Sequence, residues 1–141
     1  MAYSKQTWDT TSYVNPTRMN HIENGIDGIP EIISNSNGIA YKFNNGLLIC
    51  TKAIAQNVSQ SSDWTSWGSW YYAILSGGDW ATSFISTPQI SVCNDSVDAG
   101  FIIGDIKGVT KDGFTSIQIV RPNAPSLVVC SISVFAIGRW K

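Results

Sequence analysis

From residue 39 onward the chain runs in short stretches that alternate apolar and polar residues, each ending in a cluster of Gly, Asn, Asp, Ser or Pro. Side chains alternate between the two faces of a strand, so a period of two specifies a pleated surface with one buried side. Breaker clusters at such short intervals turn the chain back on itself. The last run, SLVVCSISVFAIGRWK (126–141), shows the pattern best. Val128, Cys130, Ile132, Val134 and Ala136 fall on one face, and Ser131 and Ser133 on the other. IAYKF (39–43) and LLICTKAIA (47–55), joined by Asn44-Asn45-Gly46, read as a hairpin with an Asn-Gly turn. FIIGDIKGV (101–109) and FTSIQIV (114–120), joined through Lys111-Asp112-Gly113, read as a second hairpin. WGSWYYAIL (67–75) reads as one strand ended by the turn Ser76-Gly77-Gly78-Asp79, and residues 56–66 as a polar loop. WATSFISTPQISVC (80–93) holds one or two strands broken near Pro88. Roughly six to eight strands in this pattern predict an antiparallel β-sandwich or barrel head, so the fold class is mainly β.

Composition agrees. There are 18 Ile against 4 Leu, and the two glutamates, Glu23 and Glu31, both precede residue 32. Glu and Leu favour helices, whereas β-branched side chains suit a pleated surface. A hydrophobic fraction of 43% supports a packed core and argues against disorder. A net charge of −1 lacks the basic footprint that neutralises phosphates, which argues against nucleic acid. No apolar run is long enough for a transmembrane helix, so no membrane insertion is expected, and the N-terminus lacks the apolar stretch of a signal peptide.

One segment departs from the β pattern. Asn15-Pro16-Thr17 is a good helix start, because Asn caps free N–H groups and Pro suits the first helical position. Met19, Ile22, Ile26, Ile29 and Ile33 follow at spacings that make a heptad seam, and the segment carries both glutamates. Gly25, Gly28 and Pro30 weaken it, so a helix here needs partners along the seam. Ile at both seam positions favours three or four strands over two. These five residues are therefore the expected interface of a homotrimer. The expected division is residues 1–36 as an attachment segment with a short trimerisation helix, and residues 37–141 as the β head, with the Ser-Asn-Ser-Asn-Gly breaker (34–38) at the boundary.

Candidate chemistry is sparse. Cys50, Cys93 and Cys130 lie in strand-like apolar runs and read as small hydrophobes in a reducing compartment. His21 has no second histidine to complete a metal site or triad, and no phosphate-loop, dinucleotide or nucleophile-elbow motif occurs. The β region contains no Glu to pair for glycoside hydrolysis, and its aspartates mostly sit in turns. The expectation is a protein that is not an enzyme, with no catalytic residue, metal or cofactor. The informative cluster is aromatic: Trp64, Trp67, Trp70, Tyr72 and Trp80, with Asp79 beside it. Flat rings suit the C–H faces of sugars, and neighbouring polar groups bond hydroxyls; the same rings also anchor protein interfaces. These six residues are the candidate saccharide site. Trp64 leads because it lies on a predicted loop, where binding residues concentrate.

Two stretches carry a resemblance. Trp8-Asp9 followed by YVNPTRMNHIENGI (13–26) resembles a motif of tail fibre and baseplate proteins from phages and prophages of Gram-positive bacteria. TKDGFT (110–115), together with the ending SVFAIGRWK (133–141), is similar to the tips of such fibres. The resemblance implies a homotrimeric receptor-binding protein at the distal end of a virion tail, made in the bacterial cytoplasm. Its N-terminus would dock on another tail or baseplate protein, and its β head would bind host cell-wall glycan. The alternatives are a structural tail component without glycan binding and a polysaccharide-degrading tail enzyme.

Overall fold

The computed structural model describes residues 28–58, 63–96, 100–122 and 128–141. Nine strands follow in chain order: β1 (Glu31–Asn35), β2 (Gly38–Lys42), β3 (Leu47–Val58), β4 (Thr65–Trp67), β5 (Trp70–Asp79), β6 (Gln89–Asn94), β7 (Ile102–Lys107), β8 (Gly113–Arg121) and β9 (Val128–Arg139). They form two antiparallel sheets, a five-stranded one in the order β1-β2-β3-β9-β6 and a four-stranded one in the order β4-β5-β8-β7. The chain is mainly β, with no helix among the described residues.

Alternation decides what faces inward. Val128, Cys130, Ile132, Val134 and Ala136 of β9 are all buried, as their spacing predicts, and pack with Leu48, Cys50 and Ile54 of β3. The four-stranded sheet meets them with Ala73 and Leu75 of β5 and Ile117 and Ile119 of β8, so one core lies between two sheets. Both expected hairpins form. β2 and β3 pair around Asn44-Asn45-Gly46, where the Phe43 N–H donates to Leu47 O at 2.9 Å. β7 and β8 pair across a turn in which Thr110 Oγ1 accepts from the N–H groups of Asp112 and Gly113.

Three expectations fail locally. Residues 31–35 are strand β1, not the end of a helix: Glu31 pairs with Lys42 and Asn35 with Gly38. Pro30 removes a hydrogen bond that a helix would need, the β-branched Ile32 and Ile33 favour a strand, and the Ser-Asn-Ser-Asn-Gly run turns β1 into β2. Ile33 packs on the head's own core, Asn35 Nδ2 donates to Ala81 O at 2.9 Å, and Ile29 is exposed before the strand. Met19, Ile22 and Ile26 lie outside the described residues. Secondly, residues 67–75 are two strands joined by Gly68-Ser69, with Gly68 at φ 61° in the left-handed region. Thirdly, Ser76–Asp79 continues β5 instead of turning: Gly78 pairs with Phe114 and Asp79 with Gly113. The glycine at 77 serves close approach, since a Cβ there would lie 2.1 Å from Phe114 O.

Candidate functional site: an aromatic platform on the four-stranded sheet

The tight β4–β5 hairpin sets Trp67 directly opposite Trp70. Alternation then places the next outward row at Thr65, Tyr72, Val120 and Ile102, which are in register across all four strands. The row after it holds Ile74, Gln118 and Asp105, and the last holds Ser76, Ser116 and Lys107. Trp67 is 67% exposed and Trp70 41%. Both rings stay on the surface because the inward positions on β5 are taken by Tyr71, Ala73 and Leu75.

Trp67, Trp70, Ile102 and Val120 line an open depression of about 380 Å³. Val120 is buried yet lies outside the central core cluster, so this face carries a small apolar layer of its own. A β-bulge between Ile103 and Asp105 brings Gly104 over it. A Cβ at Gly104 would come within 2.8 Å of Val120 Cγ2, so the glycine keeps the floor open. Beside this depression, Trp67, Tyr72, Ile74, Gln118 and Lys107 line a second one of about 330 Å³. Ring faces there stand next to an amide and an ammonium group, a combination that can stack on an apolar ring face and hydrogen-bond its hydroxyls. A third trough of about 310 Å³, between Gln56, Asn57, Asp63, Thr65 and Tyr72, borders the platform on the β3 side.

Of the six residues expected from the sequence, Trp67, Trp70 and Tyr72 come together on this face. The other three do not. Trp64, only 6% exposed, is in the core, with the Arg121 guanidinium carbon 5.6 Å from its ring centroid. Trp80 is 3% exposed; its Nε1 donates to Thr110 O at 3.3 Å and its ring packs against Phe84 and Phe114. Asp79 sits at the opposite end of β5 from Trp70, about 30 Å away at the rise of an extended strand. Ile102, Val120, Gly104, Gln118 and Lys107 were missed. Their place on the platform depends on which strands pair, and no local spacing announces that.

Among the described residues no group of three His, Cys, Asp or Glu side chains gathers to hold a metal ion. Burial raises the thiol pKa of Cys50 and pushes that of Cys130 up to about 11. Cys93, exposed on β6, is also raised, first by its hydrogen bond to Asp95 and then by that carboxylate's charge. None of these environments favours a reactive thiolate.

No protein-family model and no curated protein matches the chain. Two solved structures are similar. One is an N-truncated R1-type pyocin tail fibre, at 17% identity and a TM-score of 0.50, covering 89% of this chain and 98% of that one. The other is a P. aeruginosa R1 pyocin fibre fragment of C-terminal residues 323–701, at 18% identity and a TM-score of 0.48, covering 98% of this chain. This chain spans 39% of that fragment's length. At these identities the likeness concerns the fold: the strands are arranged as in a pyocin tail fibre. Neither structure supports the Gram-positive host that the sequence resemblance implied.

Proposed function

We propose that the chain is the head of a phage-tail-type fibre that adsorbs, as a homotrimer and without catalysis, to a saccharide on the host surface. The observation that carries this reading is the exposed Trp67–Trp70 pair, continuous with Tyr72, Gln118 and Lys107 on one sheet face. Surface tryptophans side by side are costly to leave in water and offer apolar faces of the size of a sugar ring. The pyocin-fibre fold supports a place on a tail particle. In this reading the protein is made in the bacterial cytoplasm, its N-terminal segment docks on another tail or baseplate protein, and the head points away from it. Single shallow sites bind weakly, and three on one trimer gain through effective concentration.

A second reading, a purely structural tail component, is favoured by one observation: Ile102 and Val120 make the depression beside the two tryptophans almost wholly apolar. The experiment is binding of the parent and of Trp67→Ala and Trp70→Ala to isolated host envelope glycans. Saccharide binding lost in both variants supports adsorption. A parent that binds no glycan fraction, or variants that bind as the parent does, refutes it. Release of reducing sugar during the assay would instead support a degrading enzyme.

A further inference from the structure

The five-stranded sheet also has an outer face, and its make-up differs from that of the Trp platform. One row runs Ile32, Tyr41, Ile49, Ile137 and Gln89 in register across all five strands. The next runs Ser34, Ile39, Thr51, Phe135 and Ser91. Beyond them Ala53, Ser133 and Cys93 stand opposite one another. No residue of these three rows is charged. Charge appears at the ends, where Arg139 is turned onto Asn45 O and Lys141 O, and Asp95 accepts from Ser133 Oγ. Ile32, Ile39, Phe135 and Ile137 are exposed in the single chain, and a groove of about 330 Å³ opens beside Phe135 and Ile137.

We infer that this face is the contact surface between copies of the chain, which leaves the Trp platform on the outside of the assembly. The inference rests on the homotrimer in the proposed function and assigns the surface that makes it. Extent is the first argument. The 40 residues of the sheet's five strands, at about 4.8 Å between strands and about 3.3 Å per residue, cover roughly 630 Å² before side-chain relief. That reaches the lower end of the ~600–1,000 Å² each partner contributes to a stable interface. Chain path is the second argument. The residues preceding the described ones enter the head at β1, which is an edge of this same sheet. In the homotrimer of the proposed function, copies tied through the chain that precedes residue 28 would be tied at this sheet and not at the four-stranded one. Around a three-fold axis each copy meets its two neighbours through two different patches, and one broad uncharged face can hold both.

Cys93 is the built-in reporter, because it is exposed in the single chain while Cys50 and Cys130 are buried. The experiment follows its alkylation by mass spectrometry in the native full chain, alongside sedimentation. It compares the parent with Phe135→Asp and, separately, Ile137→Asp. Both positions are solvent-facing in the single chain, so circular dichroism is expected to show the parent's strand content. The expected result is a trimeric parent with protected Cys93, and at least tenfold faster labelling in the variants whether or not the N-terminal segment still holds the chains together. Equal labelling in parent and variants overturns the inference, and another tail protein would then be the partner for this face. A monomeric parent with protected Cys93 also overturns it, because a segment of the same chain would be the cover. A trimer with protected Cys93 that binds no glycan refutes only the saccharide reading and leaves this one standing.

Discussion

Trp67 and Trp70 face each other across a two-residue turn, Gly68-Ser69, and that pairing makes neighbours of rings that one continuous strand would send to opposite faces. Gly68 takes the left-handed backbone the turn needs, at φ 61°, and a Cβ there would meet nothing within 4 Å. The hairpin is therefore a device for pairing two rings on the outer face.

The rings are expected to contribute little to folding and much to binding. Trp67→Ala and Trp70→Ala remove exposed surface, and such substitutions usually stay within about 0.5 kcal/mol of the parent in stability. Each is expected to weaken binding to a host envelope glycan by at least tenfold while leaving the urea midpoint nearly unchanged. Isothermal titration and denaturant curves on the same samples separate the two effects.

Trp64 behaves in the opposite way. It fills the core beneath Arg121, and its Nε1 is buried without an acceptor among the described residues. Trp64→Ala is expected to cost about 3–5 kcal/mol, the range for truncating a buried large aromatic side chain. Trp64→Phe keeps most of the volume and is expected to be milder, with glycan affinity per folded molecule unchanged. An equilibrium unfolding series with both variants checks this, and a loss of affinity in folded Trp64→Phe would return Trp64 to the binding face.

Gly104 tests the shape of the floor. Its Cβ would press on Val120 Cγ2 at 2.8 Å, so Gly104→Ala raises the floor between Trp70 and Ile102 by about one methyl group. A loss of several-fold in glycan affinity is expected, with a loss of about 1–3 kcal/mol in stability because the buried Val120 must shift. Gly104→Ala binding as the parent does would move the ligand off this depression, toward Gln118 and Lys107.

The sequence reveals the strands more readily than the site. β9 is legible because its buried residues recur every second position, and that period is intrinsic to a strand with one wet face. β1 is not, because Ile33 happens to continue the heptad spacing of Ile26 and Ile29 across Pro30. The glycines at 77 and 78 look like a turn from sequence, yet they lie in β5 where its backbone closes on Phe114. The aromatic cluster is legible as composition but not as geometry. Trp64 and Trp80 differ from Trp67 and Trp70 only in tertiary surroundings: Trp64 lies under Arg121, and Trp80 follows the last residue of β5 into the core against Phe84 and Phe114. A loop position at 64 suggested exposure, whereas the space between the sheets drew that ring inward.

Cys130 gives the fold an alkaline weakness that can be measured. Burial pushes its thiol pKa up to about 11, above the value near 9 of an unfolded thiol. The native state thus keeps a proton that the unfolded state has already lost, so this contribution is fully present below about pH 9 and declines as pH rises toward 11. Cys50 is shifted in the same direction, also by burial, and adds to the effect. Cys130→Ala has no thiol to ionise in the core, so its urea midpoint is expected to fall less steeply than the parent's between pH 9 and 11. At pH 7 the variant should be less stable by about 1 kcal/mol from the small cavity it leaves. The two curves are therefore expected to converge as pH rises, and parallel curves across that range would show that the Cys130 thiol is not held protonated by its surroundings.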